Sequence, residues 1–141
     1  MNYEKLFTPM KIGKMEVKNR LSFSPMGTNS AFTNGRKDEQ EIDYFIRRAK
    51  GGVGMIVNGC QMLNEAIAQG SMEGYLDSYS VLPALTSMVD GVHRYGARII
   101  CQISPGTGRN AFPDTNGNPP MSASAIPSAF NPNVICHALT K

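Results

Sequence analysis

The sequence predicts an α/β fold built from parallel strands that alternate with helices. Its hydrophobic pattern indicates, in order, a hairpin, a strand, a helix, a strand, a helix, a strand and a long tail. The composition, 41% hydrophobic and 18% charged over 141 residues, is that of an ordinary folded domain. Strands that alternate with helices of about a dozen residues indicate βαβ units with right-handed crossovers.

The first predicted elements are a hairpin and a short strand. Apolar residues alternate along residues 10–17 around Gly13 and Lys14, which is typical of a small β-hairpin. Residues 21–25 predict a short strand that Pro25 ends, and a loop rich in Gly, Asn and Thr follows.

A helix and a buried strand come next. Asp38, with Glu41 three residues later, is typical of a helix N-terminus. Apolar residues at helical spacing then continue until Gly51 and Gly52 end the helix. Residues 54–57 predict a buried strand, and a long loop is predicted at residues 59–78.

The second helix and the third strand complete the regular part of the chain. Ser80 is predicted to cap the helix, which carries Pro83 in its first turn and ends at Gly96. Residues 97–103 predict the third strand. Residues 104–141 carry Gly, Pro, Asn and Ser at the density of a loop.

Two architectures fit this order of elements, a doubly wound open sheet and part of a (β/α)8 barrel. The hairpin before the first strand is placed to close the bottom of a barrel, and the long loops after the strands carry the active site in that fold. A dinucleotide-binding open sheet would carry G-x-G-x-x-G after its first strand. Residues 25–30 read PMGTNS instead, so the barrel is favoured.

Charge and cysteine usage exclude several classes of protein. The net charge of +3 is scattered, without the basic stripe and interleaved aromatics of a nucleic-acid-binding surface. No apolar run is long enough to span a bilayer and no secretory signal is recognisable, so a cytoplasmic location is expected. Cys60, Cys101 and Cys136 lack a metal-binding spacing and are expected to be free, buried thiols.

Small and polar residues gather where each predicted strand ends. Because the carboxyl ends of parallel strands meet at one edge, we expect these residues to form a ligand site. The sequence holds no Ser-His-Asp set, paired carboxylates or phosphate-binding loop, so these residues alone name no reaction. The strand-end residues are Ser24, Pro25, Met26, Gly27 and Thr28 after the first strand, Asn58 and Gly59 after the second, and Gln102 at the third.

Four motifs, in order and spanning nearly the whole chain, carry a family resemblance. They read LFTP and KNRLSFSPM at residues 6–9 and 18–26, YFIRRAKGGVGMIV at 44–57, ICQI with Gly108 and Arg109 at 100–109, and SAIPS with CHALT at 124–140. With them the chain resembles the old yellow enzyme family, the FMN-dependent NAD(P)H:flavin oxidoreductases and ene-reductases. The resemblance is strongest to the branch that contains 2,4-dienoyl-CoA reductases and 2-enoate reductases.

The resemblance implies an FMN lying across the mouth of a TIM barrel. NADH or NADPH would reduce the flavin, whose N5 would pass a hydride to the alkene of an α,β-unsaturated carbonyl substrate, an enoate, an enoyl-CoA or a steroid-like enone. The family's catalytic residues and metal ligands have no counterpart in this chain. The cofactor-binding residues that the resemblance implies are Ser24, Pro25, Met26 and Gly27 along the flavin, Gly59 beside O4, and Gln102 at the pyrimidine edge.

The resemblance also implies that residues 1–141 are the N-terminal portion of an FMN-binding domain, with the hairpin and the first three β/α units of an incomplete barrel. A complete barrel needs about 250 residues. The substrate-binding His pair, the proton donor and the FMN-phosphate loop are therefore expected beyond Lys141, and the isolated chain is expected to be inactive. A 4Fe–4S cluster and a homo-oligomer are compatible with the full-length protein, but this chain carries no cluster ligands.

Two positions depart from the family's pattern. Gly27 stands where many relatives place a Thr or Cys that tunes the flavin. The segment QISPGTGR at residues 102–109 lacks the family's His and has one extra residue before Arg109.

Two other interpretations stay open. A non-catalytic α/β module would bind a partner through its open side, and a truncated product would have no activity. A different (β/α)8 enzyme, such as an aldolase-type lyase, would need a Schiff-base lysine or a metal set at a strand end, which the predicted strand ends lack.

Overall fold

The N-terminal hairpin is the first regular element of the chain. The structure is a computed structural model that describes residues 3–28, 30, 37–64, 74–114 and 116–140. After a 3-10 helix at Glu4–Phe7, strands β1 (Met10–Ile12) and β2 (Met15–Val17) pair antiparallel. Gly13 turns the chain with φ of 59°, a conformation that glycine adopts without strain. The predicted hairpin is confirmed.

A parallel sheet forms the centre of the fold, with strands β3 (Ser22–Phe23), β4 (Met55–Met62), β5 (Gly74–Tyr75) and β6 (Arg98–Ser104). Strands β3 and β6 both pair with the start of β4, so they lie on its opposite edges. Strands β5 and β6 both pair with Gln61 and Met62, so β5 lies on the same edge of β4 as β3. β4 is therefore the central strand.

Strand β4 is longer than the sequence predicts. It has eight residues and continues through Asn58 and Gly59, with a register shift against β6 between Val57 and Cys60. The predicted loop at residues 59–78 is therefore wrong at both ends, because β4 extends to Met62 and β5 lies at Gly74–Tyr75. Its residues 65–73 lie outside the described part of the chain. The shift, a β-bulge or similar irregularity, explains why Asn58 and Gly59 resemble a strand end in the sequence.

Helix α1 (Glu39–Lys50) has the ends that the sequence predicts. The Asp38 side chain accepts a hydrogen bond from the Glu41 backbone N–H at 2.7 Å, which satisfies one of the free donors of the first turn. Basic residues in the last turn complement the helix dipole. Gly52, with φ of 105°, then turns the chain towards β4.

Helix α2 (Leu82–His93) begins later than predicted. A 3-10 helix at Tyr79–Val81 precedes it, and the Ser78 side chain accepts from the Ser80 N–H at 3.2 Å. The prediction that Ser80 caps the helix is therefore wrong, because the chain is already in a helical turn at Ser80. The helix carries Pro83 in its first turn, and its C-terminal turn ends at Gly96, with φ of 69°.

The hydrophobic core lies between the two helices and one face of the sheet. Ile99 on β6 and Phe23 on β3 pack against it, so these side chains face the helices. Because side chains alternate along a strand, Ile100 and Gln102 lie on the other face of β6. The buried core residues are Phe45, Ala49, Ile56, Met88, Val92 and Ala97.

The hairpin lies at the end of the sheet where the strands begin. Lys18 Nζ donates to the Tyr95 carbonyl at 2.6 Å, and Arg98 Nε donates to the Glu16 carbonyl at 3.1 Å. Since Arg98 is the first residue of β6, the opposite, C-terminal end of the sheet is left for the strand-end residues.

The fold class α/β is confirmed. Two very short parallel strands, β7 (Met121–Ser122) and β8 (His137–Ala138), interrupt the tail that the sequence predicts as a loop. Among the described residues, α1 and α2 are the only α-helices, so the number of three β/α units stays a prediction. Neither helix is long and apolar enough to cross a membrane.

Candidate functional site

The segment after β3 packs directly on the middle of β4. A Cβ atom placed on Gly59 would lie 3.0 Å from the carbonyl carbon of Met26 and 3.3 Å from Gly27 Cα, and closer still to the Met26 carbonyl oxygen. Gly59 is therefore required for the close approach of two backbone segments. The sequence predicts a ligand contact at this glycine, and the structure adds this packing role.

Strand β4 is joined to β6 by a side chain at the same level. The Asn58 side chain is 2% exposed, and its Oδ1 accepts the Gln102 backbone N–H at 3.1 Å. Asn58 lies within the register shift, where the regular ladder of hydrogen bonds is interrupted. The amide side chain thus supplies an acceptor that the strand backbone does not.

These contacts bring the three predicted strand-end groups together. Met26 and Gly27 lie against Gly59, and Gly59 follows the asparagine that binds the Gln102 backbone. Ser24 and Pro25 are exposed in the same irregular segment after β3. Gln102 lies within β6 rather than at its end, because β6 continues to Ser104.

The Gln102 side chain is free to meet a ligand. It is exposed and points away from the helices, beside Cys60 of β4. Its amide group makes no hydrogen bond within the described ranges, while its backbone N–H is held by Asn58. A carboxamide offers one donor group and one acceptor, which is the pattern needed to bind an amide-like edge.

A buried ion pair lies at the start of α1, beside Ser30. Lys37 Nζ lies 2.8 Å from Glu41 Oε1, and both side chains are almost completely buried. Ser30 Oγ donates to Glu41 Oε2 at 3.2 Å and lies 3.1 Å from Thr28 Oγ1. Glu41 therefore holds Ser30 at the first turn of α1. The i,i+4 spacing of Lys37 and Glu41 is visible in the sequence, but their burial is not.

All three cysteines are free, but only Cys136 is buried. The expectation of buried thiols is wrong for Cys101, which is exposed on β6, and Cys60 is intermediate. Partial desolvation nevertheless raises the pKa of the Cys101 thiol; the Lys37 charge opposes this rise and Cys60 adds to it. Within the part of the chain that the structure describes, no three His, Cys, Asp or Glu side chains could hold a metal ion.

A separate cleft of about 710 Å³ lies in the segment after β6, and none of the predicted flavin-binding residues lines it. Asp114 lies on its wall; the Asn118 side chain, the Asn118 N–H and the Asn116 N–H lower the pKa of its carboxyl. Arg109 Nε donates to the Pro127 carbonyl at 3.1 Å, so this side chain ties the tail together.

Comparison with known proteins identifies the family. A sequence profile of the NADH:flavin oxidoreductase / NADH oxidase family matches residues 5–141. The chain belongs to this family. Because the match covers nearly the whole chain, the resemblance carried by the four motifs is confirmed.

Relatives within the family are reductases and oxidases of greater length. The chain is 34% identical to the cinnamate reductase of Clostridium sporogenes, over 98% of this chain and 22% of that protein. It is 32% identical to the NADH oxidase of Thermoanaerobacter brockii, over 92% of this chain and 20% of that protein. The chain thus spans about a fifth of the length of these relatives.

Solved structures of the family share the fold. A 2-naphthoyl-CoA reductase in complex with 2-naphthoyl-CoA superposes with a TM-score of 0.83 at 29% identity, over 99% of this chain and 23% of that chain. An old yellow enzyme homologue from Zymomonas mobilis has a TM-score of 0.81 at 22% identity, over 96% of this chain and 40% of that chain. The described strands and helices therefore adopt the arrangement found in TIM-barrel old yellow enzymes.

The residues present fit the FMN that this family uses. The unengaged Gln102 amide suits the pyrimidine edge of an isoalloxazine ring, and the exposed segment after β3 offers backbone polar groups nearby. No side chain stands on Gly27, so its backbone is open to close approach by a planar ring.

Proposed function

We propose that this chain forms one wall of the FMN site in an NAD(P)H-dependent ene-reductase. The observation that supports the proposal is the contact series from Met26 through Gly59 and Asn58 to Gln102, which gathers three segments at one level of the sheet. In this site Gln102 binds the pyrimidine edge, and the backbone of Gly27 and Gly59 lies beside the ring. When bound, FMN supplies the redox chemistry, taking a hydride from NADH or NADPH and passing it to an activated alkene.

The names of the relatives support the substrate class. One relative is a cinnamate reductase, and another is an NADH:acrylate oxidoreductase of Vibrio harveyi, 32% identical over 79% of this chain and 11% of that protein. Cinnamate and acrylate both carry a carbon–carbon double bond conjugated to a carboxylate. We therefore propose an α,β-unsaturated carbonyl compound, an enoate or its coenzyme A ester, as the substrate of the whole protein, and the cytoplasm as its location.

The proposal assigns FMN binding and substrate binding to different parts of the protein. Residues 1–141 act as the N-terminal portion of an FMN-binding TIM-barrel domain, and the groups that bind and protonate the substrate lie in other parts of the protein. The 141-residue chain by itself is expected to reduce no enone. Turnover of a test enone by this chain alone would contradict that division.

The decisive experiment measures FMN binding in the protein that carries this chain. Quenching of FMN fluorescence is followed for the wild type, for Gln102→Leu and for the matched control Gln40→Leu. Gln40 is an exposed amide on the first turn of α1, outside the contact series from Met26 to Gln102. The loss of a bound amide is expected to weaken FMN binding about tenfold in Gln102→Leu, with no change in Gln40→Leu. A wild-type protein that binds no FMN would refute the proposed function.

A non-catalytic binding module is the second candidate. It is favoured by the exposed apolar side chains of β6, where Ile100 is 39% and Ile103 is 57% exposed. Exposed apolar side chains on a strand leave apolar surface that a partner could cover. Absence of flavin binding together with a stable, cooperatively unfolding monomer would favour this candidate over the first.

A further inference from the structure

Tyr44 on α1 makes a specific contact with the segment that follows β3. Its hydroxyl group donates a hydrogen bond to the Met26 sulfur at 3.0 Å. Met26 is 50% exposed, so burial in the core does not explain the position of its side chain. A thioether is a weak acceptor, and its use here joins the helix to one particular residue of the loop.

The Tyr44 ring is itself held in place. The Arg48 guanidinium carbon lies 3.2 Å from its centroid, and Arg48 Nη1 donates to the Tyr44 carbonyl at 2.8 Å. Edge-on contacts with Phe23 and Phe45, at 5.9 and 5.3 Å between centroids, fix its remaining sides. The hydroxyl therefore has a defined direction, set by residues of α1 and β3.

Met26 is thereby held from two sides. Its side chain contacts α1 through Tyr44, and its backbone carbonyl lies against Gly59 of β4. Residues 24–27 belong to no helix or strand, so contacts of this kind determine where their backbone lies. A change at Tyr44 would be transmitted to Met26 and to the adjoining Gly27.

We propose that Tyr44 is a positioning residue of the FMN site, acting through Met26 on the backbone of residues 26 and 27. The proposal rests on the proposed function, because it takes that backbone to lie along the flavin. Tyr44 acts through the Met26 sulfur rather than by contacting the flavin, since its hydroxyl group is already hydrogen-bonded to that sulfur. Loss of the hydroxyl group alone should therefore alter the flavin site without emptying any part of the core.

The test uses small side-chain changes in the FMN-loaded protein. Tyr44→Phe removes the donor, Met26→Leu removes the acceptor, and the double variant removes both. Tyr79→Phe is the matched control, because Tyr79 is 90% exposed and loses the same hydroxyl group. We expect each of the first two variants to weaken FMN binding about threefold to tenfold and the double variant to be no weaker than either. The visible absorption band and reduction potential of bound FMN should shift in these variants and not in the control.

A flavin-free measurement separates positioning from general stability. The NMR order parameter of the Gly27 N–H should fall in Tyr44→Phe while the order parameters within α2 are unchanged. A lower order parameter with unaltered flavin affinity, spectrum and potential would give Tyr44 a purely structural role and overturn the proposal. Equal FMN affinity of the wild type and Tyr44→Phe would overturn it as well. A wild type that binds no FMN refutes the proposed function itself, and the flavin role of Tyr44 with it.

Discussion

The Oδ1 atom of Asn58 accepts the backbone N–H of Gln102 at 3.1 Å, across the register shift between β4 and β6. This hydrogen bond replaces a contact that the regular ladder cannot make at the shift. It fixes the strand that carries Gln102 relative to the strand that carries Gly59. The geometry of the candidate site therefore depends on a buried side chain that holds the backbone of Gln102.

Replacing Asn58 with alanine should destabilise the protein by about 1–2 kcal/mol, because the partly buried Gln102 N–H loses its hydrogen-bond acceptor. Urea denaturation followed by circular dichroism measures this change. Asn110→Ala is the control, since Asn110 is an exposed turn residue. Equal midpoints for the two variants would contradict the role assigned to Asn58.

Gly59→Ala should cost more stability than Gly91→Ala. The new methyl group at Gly59 would meet the Met26 backbone, which has to move, whereas at Gly91 it would meet the end of the flexible Ile46 side chain. Alanine also favours the helix at Gly91 by about 1 kcal/mol. We expect a loss of about 2–3 kcal/mol at Gly59 and a change within about 1 kcal/mol at Gly91, measured by urea denaturation. A larger loss of stability at Gly91 than at Gly59 would show that the Met26 backbone can move at little cost.

Removal of one member of the buried ion pair should be strongly destabilising. Lys37→Met leaves the Glu41 carboxylate buried beside Ser30 without its counter-charge, at a cost of about 3–5 kcal/mol. The double variant Lys37→Met/Glu41→Leu should recover much of that loss, because it buries no charge. Lys11→Met on the exposed side of the hairpin serves as the control. A double variant less stable than the single one would contradict this account.

Ionisation of Asp114 should make the stability of the folded protein depend on pH in the acidic range. Hydrogen bonds from Asn118 and Asn116 lower the pKa of its carboxyl in the folded protein. Its contribution is therefore present above the unfolded value of about 4 and is lost as the pH falls through the folded pKa. Thermal unfolding of wild type and Asp114→Asn should differ at pH 6, with the wild type more stable, and converge near pH 2. A difference that persists at pH 2 would assign the effect to something other than ionisation.

Local signals in the sequence were sufficient for the hairpin and for α1. Gly13 permits the turn, Asp38 caps the helix, and Gly52 ends it, and each of these acts on residues close by in the chain. The four family motifs were likewise readable as a linear pattern, and the family match over residues 5–141 confirms them. Short-range stereochemistry explains why the predictions of the hairpin and of α1 were correct.

The tertiary structure decided how the candidate site is assembled. The length of β4, the packing of Gly59 on Met26, the bond from Asn58 to Gln102 and the burial of Lys37 with Glu41 were not predicted. The Gly59–Met26 and Asn58–Gln102 contacts join residues that are distant in the sequence, and the extent of β4 and the burial of the ion pair depend on which elements pack together. The flavin-binding role of Gln102 and of the segment after β3 stays a prediction. The sequence alone thus determined the hairpin, α1 and the family, and only packing determined which residues meet, because contact between distant residues is a property of the folded chain.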